Sequence, residues 1–149
     1  MKTRKIILLA LMTVSASILF ASAFSNDEKT IIETMVTGML MKADTISYGL
    51  AEIDNGTRLN VWYVPRSIDQ DTILASTGYV LGQYLVLCNI YPDLSDMKLM
   101  VGTKDNVIGE MYCKKTWLNE VRKDSERSYN SSDLSLIGLR VIETFNKTS

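Results

Sequence analysis

Two cysteines, no histidine and carboxylates scattered in twos are the residues from which chemistry could be built in this chain. Without histidine, the usual general base of serine and cysteine hydrolases is missing. A cysteine nucleophile needs a depressed pKa, whereas Cys88 falls inside an apolar helical stripe. Two thiols without imidazole are too few for a closed zinc site. The carboxylate pairs are Asp69 with Asp71 and Asp93 with Asp96. Helix-start electrostatics explains the first pair and turn chemistry after Pro92 the second. Neither has the alternating oxygen ligands and the glycine of a calcium loop. Gly78, Gly82, Gly102 and Gly109 do not fall in a phosphate-loop spacing. No catalytic residue, no metal ligand and no cofactor is therefore assigned.

Compartment is more legible than chemistry. Lys2, Arg4 and Lys5 precede an uncharged run over residues 6–20, and Ala21-Ser22-Ala23 follows. This is the basic, apolar and small-residue layout of a secretory signal cut after Ala23. The uncharged stretch extends to Asn26, long enough to span a bilayer as a retained tether over residues 6–26. Either outcome places one domain, residues 24–149, outside the cytoplasmic membrane, secreted or in the envelope. Loss of residues 1–23 removes three of the 16 basic residues and none of the 17 acidic ones, leaving 13 against 17. A mildly acidic, mixed surface lacks the basic stripe that nucleic acid requires. In an oxidising compartment Cys88 and Cys113 are expected to form a disulfide. Sequons at Asn55, Asn130 and Asn146 make a glycoprotein only where exported chains are glycosylated.

The elements that would position any site follow from periodicity. Residues 25–42 predict an amphipathic helix opened by the Ser25/Glu28 capping box. Residues 45–64 predict a hairpin about Asn55-Gly56 as a two-residue loop, setting Glu52 opposite Leu59, Leu50 opposite Val61 and Tyr48 opposite Tyr63. Ser67 to Gln70 reads as a second capping box, and its helix runs to about Tyr91, where Pro92 stops it. Residues 97–113 predict a second hairpin around Lys104-Asp105-Asn106, with Met97 opposite Cys113, Leu99 opposite Met111 and Val101 opposite Gly109. Trp117, Leu118 and Val121 suit either a strand or a short helix, and residues 122–132 read as a connector. A last helix is expected over residues 133–146 on Leu134, Ile137, Gly138, Val141, Ile142 and Phe145.

Together these predict an α+β domain, α-ββ-α-ββ-α, with an antiparallel sheet of four or five strands. The order is similar to that of profilin-like and roadblock-type sandwiches, a likeness of topology alone. The central helix is expected on one sheet face and the terminal helices mostly on the other. Trp62, Ile53, Met100 and Tyr112 share that second face in the expected registers, and any part left open is a candidate groove or homodimer interface. The expectation is a non-enzymatic exported protein that binds a protein or small ligand of unknown identity. The alternatives are a hydrolase or lyase working through carboxylate and tyrosine groups such as Asp93 or Tyr112, and a structural envelope component that self-associates along a sheet edge.

Overall fold

The computed structural model describes residues 23–54, 56–123 and 131–147. Helix α1 (Asn26–Leu40) opens on the expected capping box. Glu28 N–H donates to Ser25 Oγ at 3.2 Å, and Ser25 N–H donates to Glu28 Oε2 at 2.8 Å. Its buried stripe is Ile32, Val36 and Leu40, each stabilising the fold by about 2 kcal/mol on transfer from water. The chain then forms β1 (Ile46–Asp54) and β2 (Arg58–Pro65), an antiparallel hairpin.

The hairpin register differs by one residue from the expected one. Asp54 pairs with Arg58, Ile53 with Leu59, Ala51 with Val61 and Gly49 with Tyr63, so three residues separate the strands. Gly56 takes the left-handed φ of +83°, which a longer loop needs at a single position. A one-residue slip reverses every side chain of a strand. Here it buries Gly49, Ala51 and Ile53 of β1 and turns Tyr48, Leu50 and Glu52 outward. Packing decides the matter, because Leu40 of α1 lies where a Cβ on residue 49 would stand. Only a row of small residues lets the helix sit so close.

Helix α2 (Gln70–Ile90) is capped by Asp69, whose carboxylate accepts from Thr72 N–H at 2.9 Å and Thr72 Oγ1 at 2.8 Å. The cap therefore falls at Asp69, two residues beyond the expected Ser67. Roughly 31 Å long at 1.5 Å per residue, α2 carries the chain back along the sheet. Strand β3 (Met97–Gly102) consequently starts beside the start of β2 and runs parallel to it, Leu59 pairing with Met97 and Tyr63 with Val101. The sheet is thus mixed, not antiparallel, because the crossover returns the chain before the second hairpin begins. Strand β4 (Val107–Cys113) completes that hairpin in the expected register.

Residues Lys115–Lys123 form helix α3 and Ser131–Glu143 form helix α4, so the ambiguous stretch resolves as helix. The expected connector lies largely outside the described residues. A two-residue strand β5 (Asn146–Lys147), not foreseen, pairs with Gly109 and Glu110 of β4. The sheet order is β1-β2-β3-β4-β5. By length and composition α2 could cross a bilayer, but Val80, Leu81, Tyr84, Leu85 and Leu87 are buried in the core, and a core helix passes the same test.

The described helices lie on one face of the sheet. Leu40 of α1 meets Gly49, and the Tyr63 hydroxyl bonds Thr77 of α2 at 2.7 Å. Phe145, just after α4, covers Gly109. Gly49, Tyr63, Val101 and Gly109 form one row across the strands, so these contacts share a side. Leu118 of α3 is buried in the same core. The expected three-layer arrangement, with terminal helices on the far face, is therefore a two-layer one among the described residues.

Candidate functional site

The sheet face that carries none of the described helices is built by strand alternation. Outward positions are Tyr48, Leu50, Glu52 and Asp54 on β1, and Arg58, Asn60, Trp62 and Val64 on β2. Lys98 and Met100 on β3 and Ile108, Glu110 and Tyr112 on β4 continue it. Registers align them into rows. Leu50, Trp62, Met100 and Glu110 make one row, and Glu52, Asn60, Lys98 and Tyr112 the next.

Trp62 is the centre of the apolar row. Tyr48 meets it edge-to-face with ring centroids 5.6 Å apart at 73°, a favourable aromatic geometry. Gly102 flanks it, leaving only 3.1 Å between the indole Nε1 and the place a Cβ would occupy. Leu50 is 45% exposed and Tyr112 38%. Charged pairs frame the row. Lys98 bonds Glu110 at 2.7 Å, and the Tyr112 hydroxyl donates to Glu110 Oε2 at 3.0 Å. The Lys98 ammonium lies 5.9 Å from the Tyr112 ring centroid. The bond with Glu110 raises the Lys98 pKa, and the same bond lowers that of Glu110. Arg58 and Asp54 form a second pair at 2.5 Å.

Three polar atoms on successive outward positions of β2 are shielded from water and have no hydrogen-bond partner among the described residues: Arg58 Nε, Asn60 Oδ1 and Trp62 Nε1. A buried group left so costs about 1–3 kcal/mol. Structures usually satisfy such groups or use them.

Of the four residues expected on this face, Trp62, Met100 and Tyr112 are there. Ile53 is not; the register slip buries it at 6% exposure opposite Leu59, under the helices. Leu50 and Tyr48 take its place. Asn-Gly chemistry pointed to the tighter loop and hid them; the small-residue alternation Gly49, Ala51 was the signal that could have revealed them.

Cys88 and Cys113 are not joined in a disulfide. Both face the Tyr84 phenol, whose pKa is driven up by burial and by the two thiols. Burial pushes the Cys113 thiol up to about 12. A buried Cys113 and a half-buried Cys88, packed as small apolar groups, account for both. One carboxylate of each expected pair is likewise engaged structurally. Asp69 caps α2 and is held down to about 2, first by a Ser67 side-chain bond and then by Thr72. Asp96 Oδ1 accepts from Lys115 N–H at 2.9 Å. Asp93 is exposed in the turn after Pro92, whereas Tyr112 is committed to Glu110. Among the described residues no group of three histidine, cysteine or acidic side chains could hold a metal. Of the sequons, Asn55 and Asn130 lie outside the described residues, and Asn146 is exposed in β5.

On the helical side a shallow apolar groove of about 520 Å³ separates α2 from α4, lined by Leu74, Gly78, Leu81, Gly138, Leu139 and Ile142 among others. Comparison with protein-family models, curated proteins and solved structures finds no match to this chain.

Proposed function

We propose that this is a non-enzymatic binding protein that works outside the cytoplasmic membrane and engages a protein or small ligand through the open sheet face. One observation supports it above the others: among the described residues, the sheet is left without helices on the side where Leu50, Trp62 and Met100 line up beside three polar atoms that have no hydrogen-bond partner there. Contiguous apolar surface edged by polar groups is the usual mark of an interaction site. The export layout of residues 1–23 supports the compartment.

Self-association along a sheet edge is the less favoured reading. Glu33 accepts from Ile53 N–H at 2.8 Å and Thr37 from Ala51 N–H at 3.1 Å, so α1 occupies amides of the β1 edge. At the other edge Thr144 accepts from Tyr112 N–H at 2.7 Å and β5 is two residues long. Edges covered in this way resist strand addition.

The test uses the exported domain as bait against envelope extract and culture medium. Leu50→Glu changes the open face; Leu139→Glu, 60% exposed on α4, is the control. Loss of bound partners with Leu50→Glu but not with Leu139→Glu, both variants remaining folded, is the expected result. Equal capture by both would discard this face as the site.

A further inference from the structure

We infer that folding seals the Ala23–Phe24 bond, so that a chain which folds before it is processed keeps its leader and stays tethered. This rests on the export reading above. Phe24 N–H donates to the Gly56 carbonyl at 3.2 Å. Its ring meets Tyr91, at the end of α2, edge-on with centroids 6.0 Å apart. Ala23 lies against the turn, its Cβ 3.1 Å from where a Cβ on Gly56 would stand. Ser25 caps α1, and the helix begins at Asn26. The folded domain therefore starts at the expected scissile bond, with no linker between them.

A peptidase takes the residues on both sides of its bond into a cleft, and folded segments yield to it only by opening locally. Opening here breaks the Phe24–Gly56 hydrogen bond, the Tyr91 contact and the cap of α1 together. In hydrolysis water adds across the amide and the C–N bond breaks. Ala23 leaves as a carboxylate and Phe24 keeps the nitrogen as an ammonium. That ammonium still has N–H groups to donate to Gly56, so the dock survives cleavage and the mature domain has no loose N-terminal tail. The order of two events then sorts the product: processing first releases the domain, and folding first leaves residues 1–23 attached as an anchor.

The test compares two full-length precursors in detergent micelles with signal peptidase. One is native. In the other, Phe24-Ser25 is repeated ahead of a six-residue Gly/Ser linker, which keeps the residues around the bond and moves it away from the dock. Thermal unfolding checks that both are folded, and intact mass reads the cut. The linker-bearing precursor is expected to be cleaved at least about tenfold faster, the penalty of local opening having been removed. Equal rates, a slower linker-bearing precursor, or one left intact while a peptide of residues 1–30 is cut, would overturn the inference. Failure to cut either precursor or that peptide would instead overturn the export reading.

Discussion

Gly49 and Gly109 do the same work at the two ends of one row on the helical face of the sheet, yet they should tolerate a methyl group differently. At Gly49 the obstacle is Leu40, beginning with its Cβ at 2.5 Å, so α1 itself has to move. At Gly109 it is the Phe145 ring, which is 46% exposed and free to swing away. Gly49→Ala should cost about 1–3 kcal/mol and Gly109→Ala less than about 1, measured by urea unfolding. Burial also fixes a pH response. Tyr63 and Cys113 both have folded-state pKa values of about 12, above the ordinary 10.0 and 9.0. Their protonated forms thus contribute stability that is complete below about pH 9 and is lost as pH rises towards 12. Alkaline unfolding should set in across that window, with Tyr63→Phe removing the tyrosine part. The thiols give a third check at this scale. Intact mass after alkylation without reductant should show two added groups once the chain is unfolded in denaturant, and none on Cys113 while it stays folded.

At the scale of elements, α1 is a guard as well as a core helix. Replacing Glu33 and Thr37 together by alanine leaves the Ile53 and Ala51 amides without their partners. Each should weaken the fold by about 1 kcal/mol, and the bared β1 edge should promote dimers visible by sedimentation as concentration rises. No increase in mass would show that the strand is protected by other means. The start of α1 was the most legible feature of the chain, because Ser25 followed three residues later by Glu28 states its own hydrogen bonds, whereas the cap of α2 fell at Asp69 and not at the expected Ser67. The second hairpin was equally legible, since only one register put Met97, Leu99 and Val101 together with Cys113, Met111 and Gly109. The first was not. Asn-Gly favours the two-residue loop locally, and the slip that overrides it is imposed by α1 packing on Gly49, a contact between distant residues that periodicity does not contain.

At the scale of the whole molecule the described helices crowd one side, while the register of β1 is what separated the expected site from the observed one. Trp62, Met100 and Tyr112 kept their places because β2, β3 and β4 kept their inward and outward sides. Ile53 lost its place with β1. The layer count was illegible, since amphipathic stripes tell which helix side is buried but not which sheet face buries it. The α2 crossover has a further consequence. Hydrogen bonds inside each hairpin join near neighbours in sequence, whereas the β2–β3 seam joins Leu59 to Met97 across the whole of α2. Closure of that seam is the slow, entropically demanding act of assembly. The polypeptide is in this sense two prefabricated halves zipped along a single parallel joint. A backbone break between Ser67 and Ile68, both exposed in the loop before α2, should leave fragments that reassociate into a native-like complementation pair.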